Sequence, residues 1–164
     1  MIILGIDPGL ATMGFGVIET ERGASKVVDY GVVLTPKEET LPVRLAMLEE
    51  GVKKLVDKYT PDEIALEELF FNNNITTGIN VAQARGVILL TCVKNCGRLY
   101  EYTPLQIKQA LTGYGRAEKK QIQIMVKTLL RLDGIPKPDD AADALAVALT
   151  HCQTNRLSAP FGIR

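Results

Sequence analysis

The stretch Ile2-Ile3-Leu4-Gly5-Ile6-Asp7-Pro8-Gly9 decides the fold. Residues 2–6 are apolar but for one glycine, and three of them are β-branched isoleucines. So short an apolar run suits a strand buried on both faces, as in sheets whose two sides carry helices. Asp7-Pro8-Gly9 then closes it with a turn signal. The stretches Gly14–Glu19 and Lys26–Leu34 read as the next strands, parted by a polar turn over Thr20–Gly23. Three strands joined by such short turns form an antiparallel meander.

Beyond the meander the periodicity changes. Over Leu41–Tyr59 the apolar residues Leu45, Leu48, Val52 and Leu55 recur at helical spacing, and Pro61 stops the helix. A strand is expected over Glu63–Glu67, a polar and aromatic loop over Phe70–Asn74, an apolar helix over Ile79–Val93 and a fifth strand over Arg98–Tyr102. Thr103-Pro104 is an N-cap followed by proline at the first helical position. Further helices are expected over Lys119–Leu132 and Asp139–Gln153. Long helical crossovers make strands one, four and five parallel. The expectation is an α/β fold with a five-stranded mixed sheet flanked by helices, one domain over 1–155 and a flexible tail over 156–164.

Composition narrows the class of protein. Hydrophobic residues make up 46% and charged residues 23%, an ordinary soluble balance. The longest apolar run, Gly86–Val93, is far short of the ~20 residues of a membrane span. Met1 leads into a strand with no basic region before it, so a cytoplasmic protein without membrane contact is expected. Cys92, Cys96 and Cys152 lack the spacing of a zinc site and read as reduced thiols. Formal net charge is zero, with 19 basic and 19 acidic residues, yet the distribution is uneven. From Leu105 to Lys137, Lys108, Arg116, Lys119, Lys120, Lys127, Arg131 and Lys137 meet only Glu118 and Asp133. Such asymmetry can place a basic binding face inside a neutral total, or merely solvate helix surfaces.

The acids carry the candidate chemistry. Ligands bind beyond the carboxyl ends of parallel strands, where Asp7 and either Glu67 or Glu68 would sit. In the last helix, Ala141–Leu149 is apolar almost all round except for Asp143. Asp143 shares a face with Asp140, while Asp139 or Asp140 can cap the helix. Carboxylates gathered without matching bases repel one another unless a cation lies among them. Oxygen-only ligands select Mg²⁺ or Mn²⁺. Two such ions ~3.5–4 Å apart would serve an in-line phosphoryl displacement. Scattered surface and capping acids are the competing explanation of the same spacing.

Several blocks follow one another in a distinctive order. After Gly5-Ile6-Asp7-Pro8-Gly9 and Gly14-Phe15-Gly16-Val17-Ile18 come Ala65-Leu66-Glu67-Glu68-Leu69-Phe70 and Ala82-Gln83-Ala84-Arg85-Gly86-Val87. Then follow Gln106-Ile107-Lys108-Gln109, Gly113-Tyr114-Gly115-Arg116-Ala117-Glu118-Lys119, Asp140-Ala141-Ala142-Asp143-Ala144-Leu145 and Thr150-His151-Cys152. From the first strand to about residue 153, the chain resembles the RuvC family of bacterial Holliday junction resolvases, nucleases of the ribonuclease H-like superfamily.

The resemblance implies a homodimer that cuts four-way junction DNA by paired symmetric nicks, using two Mg²⁺ ions (or Mn²⁺) per subunit, alongside the branch-migration proteins RuvA and RuvB. It selects Glu67 over Glu68 and Asp140 with Asp143, leaving Asp139 as a cap. Lys108 and Lys119 match family lysines near the active site and could neutralise phosphate oxygens. Phe70, preferred over Phe71, matches a loop aromatic that could stack on an unpaired base. Arg116 and Lys120 join them as expected DNA contacts. Arg85 could equally be a structural ion pair. Some family members carry a histidine near the acids; the only histidine here, His151, lies two turns beyond Asp143 and is given no catalytic role.

Three rivals have different signatures. Asp7-Pro8-Gly9 also resembles the phosphate loop of sugar kinases and actin-like ATPases, but the second half those proteins need has no room here. A short nuclease acting on structured RNA would lack the Gly113–Lys119 block. A non-catalytic junction-binding protein would not need all four acids.

Overall fold

The computed structural model describes residues 1–68, 75–96 and 98–154. Phe70, Phe71 and the tail expected over 156–164 lie outside the described residues.

The chain runs β1 (Ile2–Asp7), β2 (Thr12–Glu21), β3 (Ala24–Leu34), α1 (Leu41–Tyr59), β4 (Glu63–Glu67), α2 (Ile75–Asn95), β5 (Leu99–Tyr102), α3 (Pro104–Thr112), α4 (Lys119–Leu129) and α5 (Asp139–Thr154). The five strands form one sheet in the order β3-β2-β1-β4-β5. The meander pairs are antiparallel, and β1–β4 and β4–β5 are parallel, as the crossovers require. Strands β2 and β3 outrun the expected bounds because only Arg22 and Gly23 make the turn, at φ 46° and 92°. Both sit in the left-handed region that a two-residue hairpin favours, so the ladder continues to Glu21 and Ala24.

Alternation along the strands builds two cores. Ile3, Ala65 and Tyr102 face α3, α4 and α5, while Leu4, Ile6, Ile64 and Leu66 face α1 and α2. Helix α4 ends at Leu129 rather than Leu132, because Arg131 turns left-handed at φ 53° and Leu132 N–H returns to Lys127 O. Helix α3 starts as expected: Thr103 Oγ1 accepts from Gln106 N–H at 3.1 Å, and Thr103 N–H donates to the Gln106 side chain at 2.7 Å.

The feature that positions the acids is the seat of α5. A Cβ on Gly16 would stand 2.7–2.8 Å from Leu145. A Cβ on Gly5 would run into Ala144 O, and one on Gly14 into Asp140 O. The helix therefore lies directly on the backbone of β1 and β2, which only glycine permits.

Candidate active site

Asp7 and Glu67 end the neighbouring parallel strands β1 and β4, in a register that pairs Ile6 with Leu66. With period two, both carboxylates fall on the α5 side of the sheet. Asp7 also pairs with Gly14, and Gly14 is where the Asp140 backbone rests. Asp143 follows one turn later along α5. Four acids from three elements thus meet at one sheet edge, and a packing constraint sets the depth of two of them.

The charge among them is poorly balanced. Burial pushes Asp7 up to about 8, with Glu67, Asp143 and Asp140 adding repulsion and Lys119 opposing them. Glu67 is pushed up to about 7 by burial and by Asp143, against Lys119 and Lys108. Asp143 is raised by burial, though Lys119 donates to its Oδ2 at 2.7 Å. For Lys119 burial acts downward, but the bond to Asp143 and the charges of Asp143, Asp139 and Asp7 hold it above its ordinary value. Among the described residues, the side chains of Asp7, Glu67 and Asp140 have no hydrogen-bond or ion-pair partner.

Oxygen donors whose ionised forms burial and mutual repulsion disfavour are what a hard divalent cation would stabilise. Among the described residues, no three His, Cys, Asp or Glu side chains are arranged as a ready-made ion cage. Lys119 lies against Asp143. Beside them runs a cleft of about 210 Å³, lined by Glu67, Lys108, Lys119 and Asp143 and by Pro104, Ile107, Ile122 and Ala146. Arg116 and Lys120 do not line it; both are exposed, on the α3–α4 loop and at the start of α4.

Other sequence expectations resolve individually. Asp139 is the first residue of α5, not its cap; its carboxylate pairs with Lys137 at 3.2 Å and Lys119 at 3.7 Å. Arg85 forms an ion pair with Glu101, tying α2 to β5. His151 is fully buried, bridging Tyr102 Oη and Glu63 Oε2 at 2.7 Å each. Burial lowers its pKa, with the Glu63 bond opposing. The imidazole fastens α5 to β4 and β5 rather than facing the acids. None of the three cysteines forms a disulfide. No helix among the described residues is long and apolar enough to cross a membrane.

Sequence reasoning missed the glycine seat and the apolar half of the cleft. The signal for the first was present: glycine at alternate positions 14 and 16 of one strand and at 5 of its neighbour marks a close backbone approach. Nothing local marked the second, since Ile107 and Ile122 have the helical spacing of ordinary core residues.

Comparison with known proteins is consistent over the full length. The family model described as "Crossover junction endodeoxyribonuclease RuvC" matches residues 3–151. A protein of that name from Clostridioides difficile (strain 630) is 53% identical over 157 residues, covering 96% of this chain and 93% of its own length. Another from Alkaliphilus oremlandii (strain OhILAs) is 51% identical over 164 residues, with 100% of both chains covered. The structure "T. thermophilus RuvC in complex with Holliday junction substrate" superposes with a TM-score of 0.93 at 32% identity, covering 99% of each chain.

Proposed function

Because this chain belongs to the RuvC family of crossover junction endodeoxyribonucleases, we propose that it resolves four-way DNA junctions from the cleft beside Asp7, Glu67, Asp140 and Asp143. The observation that carries this reading is the convergence of four acids, three without a partner, beside two lysines at one sheet edge. Surface or capping acids would not be pushed upward by burial and by one another as Asp7 is. Their donor set suits Mg²⁺, with Mn²⁺ as a substitute, and two ions per subunit match the four carboxylates. When bound, such ions lower the pKa of water and neutralise charge on the phosphate.

The remaining work falls to the chain. The reaction adds water to phosphorus and breaks the P–O3′ bond, leaving a 5′-phosphate and a 3′-hydroxyl. The four carboxylates hold the reacting phosphate at the sheet edge through what they bind. Lys108 on α3 and Lys119 on α4, which both line the cleft, neutralise phosphate oxygens as charge grows on them. Arg116 and Lys120 hold the backbone further out, and Phe70 is the candidate for stacking on an unpaired base.

Two opposed cuts call for two sites related by a two-fold axis, hence a homodimer. Along α2, Ile79, Leu90 and Val93 are each more than half exposed and fall on one helix face with Gly86, where a side chain would meet open space. That apolar stripe is the proposed contact between copies. Leu90→Glu should shift the protein to monomers in sedimentation and abolish paired cutting; an unchanged dimer would move the contact elsewhere. RuvA and RuvB are proposed partners on family grounds. The test of function is a synthetic four-way junction against a linear duplex of the same sequence in Mg²⁺. Symmetric cuts confined to the junction are expected; equal cutting of both would refute resolution as the activity.

A further inference from the structure

The cleft beside the acids is lined by two unlike sets of residues. Glu67, Lys108, Lys119 and Asp143 are charged, whereas Pro104, Ile107, Ile122 and Ala146 offer no polar side-chain atom. Ile107 and Ile122 are each only 6% exposed and Ala146 1%, so this part is a rigid floor formed by core residues of three helices. Much of the backbone beside this floor is already paired. Pro104 has no N–H, and two donors of the same turn are used internally: Gln106 N–H by Thr103 Oγ1, and Ile107 N–H by Thr103 O at 3.0 Å. Ile122 N–H donates to Glu118 O at 3.2 Å, and Ala146 O accepts from Thr150 Oγ1 at 2.8 Å. The capping box thus takes up two donors, Thr103 N–H and Gln106 N–H, of a helix start that would otherwise offer them.

At about 210 Å³ the space is smaller than the pockets of about 300 Å³ and upward that take drug-sized molecules. If phosphate occupies the charged part, as the nuclease reading requires, the next group along the strand in either direction is a sugar. We propose that the apolar floor formed by Pro104, Ile107, Ile122 and Ala146 receives the deoxyribose of a nucleotide flanking the scissile bond and rejects a ribose there. The 2′-methylene of deoxyribose packs against such a floor at no cost. A 2′-hydroxyl is both donor and acceptor and would lose water without gaining a partner. An unpaired buried hydroxyl of this kind slows turnover by about 10- to 100-fold. Selection of DNA over RNA then resides in this floor, and it is made by exclusion.

The experiment uses the full chain in Mg²⁺ with saturating enzyme and four-way junctions that differ in one sugar. A single ribonucleotide is placed on the 5′ or the 3′ side of each scissile bond, and single-turnover rates are compared with the all-deoxy junction. At one of the two positions ribose should slow cutting by about 10- to 100-fold. A 2′-fluoro sugar there, which keeps an RNA-like pucker without a hydroxyl to satisfy, should be cut near the deoxy rate. Ile107→Thr or Ile122→Thr should narrow the ribose-to-deoxyribose gap within the same variant. Ribose tolerated at both positions overturns the proposal, as does a 2′-fluoro sugar as slow as ribose, or an unchanged gap in both threonine variants. The measurements on the native protein stand even if those variants fold poorly. An all-deoxy junction left uncut by the native protein would instead overturn the nuclease reading, and this proposal with it.

Discussion

Lys119 Nζ stands 2.7 Å from Asp143 Oδ2 and 3.7 Å from Asp139 Oδ2, so one cation joins the start of α4 to the first turns of α5. It faces the acidic cleft while remaining more than half exposed. With the lysine more than half exposed, such a pair contributes modestly to stability, on the order of 1 kcal/mol. Its position points to chemistry instead.

Lys119→Met should therefore fold with nearly native stability and bind junctions with nearly native affinity. Its single-turnover cleavage should fall by about 100- to 1000-fold, the loss typical of removing one transition-state charge partner. Anisotropy for binding and quenched-flow cleavage separate the two effects. A large loss of binding with unchanged chemistry would reassign the residue to simple DNA attachment.

Asp7 gives the stability of the metal-free protein an unusual pH dependence. Its folded pKa is about 8 against an ordinary 3.8, so between these values the folded state holds more protons than the unfolded one. Stability from this group is fully present below the unfolded pKa and is lost as pH rises through about 8. His151 acts oppositely: its lowered pKa makes stability fall as pH drops below its ordinary value of 6.5. The difference between wild type and Asp7→Asn isolates the first effect. In EDTA the stabilising effect of the substitution should grow from pH 6 to pH 8.5, read as Tm, and Mg²⁺ should reverse it. Each kcal/mol corresponds to about 2–4 °C in a domain of this size.

The glycine seat predicts a second class of variant. Gly16→Ala forces a Cβ to within 2.7 Å of Leu145, so α5 must lift or the strand must shift. Overpacking of that kind costs about 1–3 kcal/mol. Because α5 carries Asp140 and Asp143, activity should fall further than the folded fraction in urea titration accounts for. Equal losses in both would mean that the acids do not depend on how α5 is seated.

Lys120, Lys127 and Arg131 lie along α4 and just past its end, and among the described residues none pairs with a carboxylate. By contrast Lys26, Lys53, Lys54 and Lys58 on other elements each have one. The uncommitted stripe suits a DNA arm leaving the cleft. Replacing each by Gln should lower the slope of log K against log salt by about 0.9 per lost phosphate contact. An unchanged slope in the triple variant would confine DNA binding to the cleft.

Much of this architecture is legible in the sequence. The apolar strand at Ile2–Ile6 and the period change at Leu41 carry the mixed sheet, because burial on two faces leaves a run without alternation. Asp143 stands out because a carboxylate in an apolar helix needs a partner. Asp139 reads as a cap but is not one: the helix begins one residue earlier than its acids suggest, and Lys137 and Lys119 claim the side chain instead. The ends of β2 and β3 read too short because Thr20 and Glu21 look like turn residues, while the bend needs only Arg22 and Gly23. The apolar cleft floor is not readable at all, since it depends on how three helices meet rather than on any one of them.

The most direct test of the four-carboxylate site is single-turnover cleavage of a synthetic four-way junction in Mg²⁺ by wild type and by Asp143→Asn. The substitution keeps the size and seat of the side chain but removes its charge. Junction binding should survive, and cleavage should fall by at least about 1000-fold, the upper range for removing one electrostatic participant. Full metal-dependent cleavage by Asp143→Asn would contradict the site.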